Sequence, residues 1–330
     1  MKSFLIKLFL FISIPFSLIL IFESLIWINK TDIFSEQKMS PIFLNKYAQS
    51  DWLNNLKNDK PKILLGGNST VRYGLNCRLL NSLNKDSLSF INIGFDARDP
   101  IETYFILKHF NLKNVKTFYY GIDPIDYTKA FYKNRPYNYY LDLDFSSCIN
   151  YFSEHDNLIL IRRYKMLLEY YFPSNENYKK TTEIPAELGS TILTDPPVDF
   201  NDAVFEKFQI EKYGWSQIQF IYLNKIKNLC KEKNIEFYAL IMPRRTDYTV
   251  KYIRDCKEIQ SEFETKIKNY FKPKHFIGKI NQVAYLGDDS KLYENSAHLN
   301  AKGQQIFTNM FYNMINKKQY YDFDEPWFKN

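Results

Sequence analysis

The stretch Lys62-Ile63-Leu64-Leu65-Gly66-Gly67-Asn68-Ser69-Thr70-Val71-Arg72-Tyr73-Gly74 decides the fold of this chain. A short apolar run, Lys62 to Leu65, stops at two glycines and turns through polar residues into a segment with helical spacing. The same grammar recurs at Phe90 to Ile93 before Gly94, Val115 to Tyr120 before Gly121, and Ile235 to Met242 before Pro243. Runs of this length, bounded by turn signals, read as buried strands. Between them, Asp99–Phe110 and the long stretch Phe205–Lys233 carry helical periodicity. In the latter, Phe208, Trp215, Ile218, Ile221, Ile226 and Leu229 share a broad face. Strands alternating with helices predict an α/β domain with a parallel sheet and helices on both sides.

The pattern breaks from Tyr127 to about Asp202, where a Tyr-rich, Pro-interrupted segment holds one clear helical run, Asn157–Tyr171. It reads as a mostly helical insertion or cap on a body that begins at Pro61. The cluster Tyr132, Tyr137, Tyr139 and Tyr140 offers a carbohydrate-stacking surface, but packing of the cap onto the body outweighs that reading, since aromatics most often serve a core.

Upstream of the body, Leu8–Ile28 carries a single charge, Glu23. At about 1.5 Å per residue it reaches across roughly 30 Å of hydrocarbon. The run is long for the apolar part of a signal peptide, and Asn29-Lys30-Thr31-Asp32 after it offers no small-residue cleavage site. An uncleaved signal anchor over residues 1–30 is therefore expected, followed by a connector over 31–60 with a short helix near Pro41–Leu56. Lys2 and Lys7 precede the span, which predicts a single pass through the inner or cytoplasmic membrane with the body outside the cytoplasm. Pro15 is a candidate kink, and Glu23 is expected near the outer interface, where its carboxylate reaches water.

The 44 Lys and Arg exceed the 37 Asp and Glu by 7, but they are spread along the chain rather than gathered into a stripe, so nucleic acid is not an expected partner. Cys77, Cys148, Cys230 and Cys256 are too widely spaced for a zinc or redox motif, and no cofactor or metal site is expected.

In an open parallel sheet, ligands sit beyond the carboxyl ends of the strands, so the residues after each run carry the chemistry. Ser69 falls where a strand turns into a helix, with Asn68 before it and Arg72 after it. Its backbone N–H suits a developing oxyanion, although a Ser there can equally serve as a helix N-cap. The stretch is neither Gly-x-Ser-x-Gly nor a phosphate loop. Gly94 follows the second run and Asp123 the third. Near the C-terminus, Tyr293-Glu294-Asn295-Ser296-Ala297-His298-Leu299-Asn300-Ala301-Lys302-Gly303 places a His just ahead of an amphipathic helix with Ile306, Phe307, Met310, Phe311 and Ile315. His109 lies within a helical run and His155 and His275 have polar neighbours, so His298 is the expected general base.

These pieces together resemble the SGNH (GDSL-like) hydrolase and acyltransferase superfamily, in the membrane-anchored extracytoplasmic branch that includes the teichoic-acid D-alanylation and alginate acetylation proteins. The resemblance covers roughly residues 61 to 126 and 235 to 316, making 61–330 an SGNH-like domain interrupted at about 127–202. It implies a flavodoxin-like three-layer fold. It matches Ser69 to the nucleophile, Gly94 to an oxyanion-hole glycine, and His298-Leu299-Asn300-Ala301-Lys302-Gly303 to the block holding the base. It further implies that Asn68, Arg72 and Asp123 border the oxyanion or substrate, and that Asn295 orients His298. Two positions depart from the pattern: Asp123 replaces an Asn, and Asn295 replaces the Asp three residues before the His. An amide orients an imidazole but does not stabilise imidazolium by charge. The implied activity is transfer or removal of an acyl group on an extracytoplasmic glycan, with a membrane-bound acyl-transfer protein as a further partner. A non-catalytic glycan-binding subunit and a plain carboxylester hydrolase are the alternatives.

Overall fold

A computed structural model of the chain describes residues 2–28, 60–85, 87–129, 143–154, 158–172, 188–192, 214–245, 258–259, 261–267, 270, 276–277, 290–295 and 297–318. The expected connector helix at Pro41–Leu56, the tyrosine cluster at Tyr132–Tyr140 and Cys256 lie outside them. The chain divides into two compact units, one formed by Met1–Ala48 with Asn134–Thr181, the other by Gln49–Lys133 with Thr182–Asn330.

In the first unit, helix α1 (Lys2–Ile28) contains the stretch Phe9–Ile28, which is long and apolar enough to cross a membrane. Helices α5 (Phe145–Glu154) and α6 (Ile159–Tyr171) belong to the same unit, α6 covering most of the helical run expected at Asn157–Tyr171. Glu23 has a protein partner rather than water alone: Arg163 donates from Nε and Nη2 to its two carboxylate oxygens, at 2.8 and 2.7 Å.

The second unit is a parallel sheet. Strands β1 (Lys62–Gly66), β2 (Ser89–Asn92), β3 (Val115–Ile122) and β4 (Glu236–Ile241) fall on the four runs read from sequence, and a two-residue β5 (Phe276–Ile277) adds an edge. The order is β2-β1-β3-β4-β5, all pairs parallel. Alternate residues of one strand feed opposite cores, as the two-residue period of a strand requires. Leu64, Phe118, Tyr120 and Phe237 pack with helices α4 (Pro100–His109) and α7 (Gln217–Glu232). Ile63, Leu65, Tyr119, Tyr238 and Leu240 pack on the other face with α2 (Ser69–Gly74), α3 (Cys77–Leu83) and α8 (Ala301–Asn316). Cys230 is a buried thiol whose pKa burial pushes up to about 12.

One helix boundary differs from the sequence expectation. Trp215 lies before α7 rather than in it, although it packs in the same core as Phe220, Leu223 and Ile226, while Ile221 of the expected face is exposed. Trp215 bridges to Thr128, and the Ser216 N–H donates to the Tyr127 carbonyl at 2.7 Å. That pairing holds the chain extended until Gln217, and the expected earlier start at Phe205 lies outside the described residues.

Helix α8 sets the position of the segment before it. Asn300 is its N-cap, accepting from the Gly303 N–H at 3.1 Å, while the Asn300 N–H returns to the Leu292 carbonyl at 3.0 Å. Tyr293 and Leu299 form an antiparallel bridge, and the Glu294 N–H donates to the His298 carbonyl at 2.9 Å. These bonds hold Tyr293–Asn295 close against Ala297–Leu299. A Cβ on Gly303 would stand 2.1 Å from the Leu292 carbonyl oxygen, so only glycine lets α8 approach this closely. Gly303→Ala is expected to destabilise the folded chain by about 1–3 kcal/mol, the usual cost of overpacking, read as a lower midpoint in chemical denaturation.

Candidate active site

Strands β1 to β4 end at Gly66, Asn92, Ile122 and Ile241, and the residues just beyond them gather on one edge of the sheet. Ser69 is the first residue of α2, and the N-cap is its neighbour Asn68, whose Oδ1 accepts from the Thr70 N–H at 2.9 Å. Ser69 is thereby spared the capping role, and its hydroxyl meets His298: Nε2 and Oγ are 2.8 Å apart. Asn295 Nδ2 stands 2.9 Å from Nδ1 of the same ring. Tyr73 lies edge-on to the imidazole at 5.1 Å between ring centres. Ser69 and His298, 229 residues further along, thus form with Asn295 one continuous chain of polar contacts.

The proton on that chain is assigned by the backbone. Asn295 Oδ1 accepts from the N–H groups of Ala297 and His298, each at 2.9 Å. The amide nitrogen must therefore face the ring. Turning it over would sacrifice two hydrogen bonds, each worth about 1 kcal/mol, and set the amide donors against two backbone donors. An amide nitrogen only donates, so Nδ1 accepts and carries no proton. His298 is also uncharged: burial and then the Arg244 guanidinium lower its pKa from 6.5 to about 4, against the opposing pull of Asp96 and Asp123. A neutral ring with a bare Nδ1 has its proton on Nε2, so in the resting site His298 donates to Ser69 Oγ. A general base needs the reverse, a lone pair on Nε2.

The remaining candidates are near but committed elsewhere. The Gly94 N–H, expected to face an oxyanion, donates to Asn92 Oδ1 at 2.8 Å, and Asn92 is itself held by the Val71 carbonyl at 2.9 Å. Asp123 does not stand open to a ligand: its Oδ2 accepts from Arg244 and, at 3.3 Å, from Asn68, and its Oδ1 caps the Ile125 N–H at 3.3 Å. Asn68 also donates to Asp126 at 2.9 Å. Burial and the neighbouring Asp123 push the Asp126 carboxyl well above the usual carboxylate range. Arg72 bonds Asp96 at 2.7 Å and Thr191 at 3.0 Å and lies over the Phe95 ring at 4.9 Å, tying α2 to the loop after β2.

Arg244 is the residue that sequence reading passed over. It follows the Ile235–Met242 run by two positions, and the rule that singled out Ser69, Gly94 and Asp123 reaches it equally well. Among the described residues no group of three or more His, Cys, Asp or Glu is arranged to hold a metal ion. No protein-family model matches this chain, and no curated protein matches it.

Nitrogen-15 spectra of the imidazoles at neutral pH should show His298 with a protonated Nε2 and a bare Nδ1. Because its pKa is shifted down, the ring stays neutral as pH falls, charging only near pH 4. Its contribution to stability is full above its ordinary value of about 6.5 and declines as pH falls towards 4. A titration midpoint near 6.5, or a protonated Nδ1, would contradict the assignment.

Proposed function

We propose that this chain is a membrane-anchored, SGNH-like acyltransferase or esterase acting on an ester of an extracytoplasmic glycan. The observation that carries the reading is the 2.8 Å contact between Ser69 Oγ and His298 Nε2 beyond the carboxyl ends of a parallel sheet. The strand order 2-1-3-4-5 is that of flavodoxin-like doubly wound sheets, which place ligands at this edge, and supports the same fold family. Catalysis needs the other tautomer of His298, with the proton on Nδ1 and the Asn295 amide turned to offer its oxygen. Attack of Ser69 Oγ on the acyl carbonyl would then form the O–C bond and pass the hydroxyl proton to the freed Nε2. The same proton would then go to the departing alkoxide, and a glycan hydroxyl or water would take the acyl group from Ser69. The glycan, and a membrane-bound donor of the acyl group, rest on the family resemblance alone.

A second reading has a specific observation in its favour. With its proton on Nε2, His298 holds Ser69 by donation, the arrangement of a binding site rather than of a poised nucleophile. A non-catalytic SGNH-like glycan-binding subunit would use it in this form.

Asn295→Asp separates the two. A carboxylate accepts from the Ala297 and His298 N–H groups with one oxygen and from an Nδ1–H with the other, which reverses the tautomer and frees a lone pair on Nε2. The change is expected to speed labelling by a fluorophosphonate probe by up to about 10⁴-fold, the size of effect a wrong imidazole tautomer has in a serine triad. Ser69→Ala should abolish labelling in both backgrounds. Slow labelling of the natural chain supports the enzyme, whereas labelling only after Asn295→Asp favours the binding subunit. No labelling of either sinks the nucleophile assignment.

The orientation follows from Lys2 and Lys7 preceding the span. A C-terminal alkaline phosphatase fusion is expected to be active, and activity of a cytoplasm-only reporter at the same point would reverse the topology.

A further inference from the structure

Helices α5 and α6 carry apolar side chains on faces that the first unit leaves uncovered. On α5, Phe145, Ile149 and Phe152 recur at intervals of four and three residues, 41–45% exposed, while Ser147, Cys148 and Tyr151 are buried. On α6 the packed side holds Ile159, Arg163, Met166 and Leu167. Its opposite side, where a surface helix of a water-soluble domain is polar, instead presents Ile161 at 66% exposure and Leu168 at 47%, with Phe172 just past the helix end at 78%. The outer side of α6 thus mixes large apolar residues with the exposed Lys165.

Its attachment to α1 says what covers the outer face. Arg163 grips Glu23 through two hydrogen bonds, and Tyr164 stacks on Phe22 with ring centres 4.8 Å apart. Arg163 also donates to the Leu143 carbonyl at 2.8 Å, which ties the start of α5 to the same point. Glu23 lies five residues inside the end of the apolar stretch Phe9–Ile28, about 7.5 Å along the helix axis from Ile28. A side chain that pairs with Glu23 must sit at that depth. Helices that lie in a membrane interface bury their apolar faces about 5–10 Å into the headgroup and acyl boundary, so the two depths agree. The pair also supplies Glu23 with a counter-charge where water is scarce.

We propose that α5 and α6 form an interfacial hairpin, whose exposed face of Phe145, Ile149, Phe152, Ile161, Leu168 and Phe172 rests in the boundary layer of the bilayer that α1 crosses. The inference takes α1 as a membrane span and is independent of any chemistry at Ser69. The lipid surface is favoured over a protein partner because α6 is tied to a span that itself requires lipid, at a level set by the Glu23–Arg163 pair.

The test uses the full chain in the membranes of the expressing cell, with benzoylphenylalanine placed at Phe152 or, separately, at Ile161. Both positions are exposed enough to accept it without repacking. Lys116, an exposed position of the second unit, serves as the comparison. Irradiation is expected to give adducts of lipid mass at Phe152 and Ile161 and loss of them at Lys116. Adducts to polypeptide at both positions, whether a second copy of the chain or another protein, would overturn the proposal. Lipid adducts no more frequent than at Lys116 would overturn it equally.

Discussion

The approach of helix α8 to the Leu292 carbonyl, open only to Gly303, governs the geometry of the whole site. With the helix seated there, the Asn300 N–H reaches that same carbonyl and Tyr293 bridges to Leu299, closing a loop whose last polar side chain is His298. The loop does two things at once. It points the imidazole at Ser69, and it turns the N–H groups of Ala297 and His298 towards Asn295. The first creates the Ser–His contact, and the second decides which ring nitrogen holds the proton. A carboxylate at position 295 would serve both demands, whereas an amide meets the backbone demand and reverses the tautomer.

Behind that pair lies a buried polar cluster. Arg244 pairs with Asp123, Asn68 spans Asp123 and Asp126, and burial with the neighbouring Asp123 raises the Asp126 pKa. Burying two ionised carboxylates side by side is costly, and the Arg244–Asp123 pair and the Asn68 amide both answer that cost. His298 is kept uncharged by burial and by Arg244. The same cluster releases Ser69 from capping duty, because Asn68 takes it.

The first unit also pairs a charge of an apolar helix. A glutamate inside an apolar helix is expensive unless paired, and Arg163 answers it with both oxygens engaged. The pairing fixes α6 at a definite level along α1, which is why the outward apolar residues of α5 and α6 can be assigned a depth.

Much of the fold was legible in the chain itself. Burial on both faces of a parallel sheet leaves continuous apolar runs, and each of the four fell on a strand. The turn after each run marked the sheet edge, which is enough to pick out Ser69 and Asp123 and would have found Arg244, while His298 stood out by its place ahead of an amphipathic helix. Those signals are local, because periodicity and turn chemistry are properties of neighbouring residues. What the tertiary structure alone decided is where each donor and acceptor is spent. The Ser216 N–H was taken by the Tyr127 carbonyl, the Gly94 N–H by Asn92, and Asp123 by Arg244, 121 residues away. The letter at position 295 shows only that a carboxylate is missing. That its amide must face the ring with nitrogen, and so reverse the proton on His298, follows from two backbone N–H groups placed by a loop closed against α8.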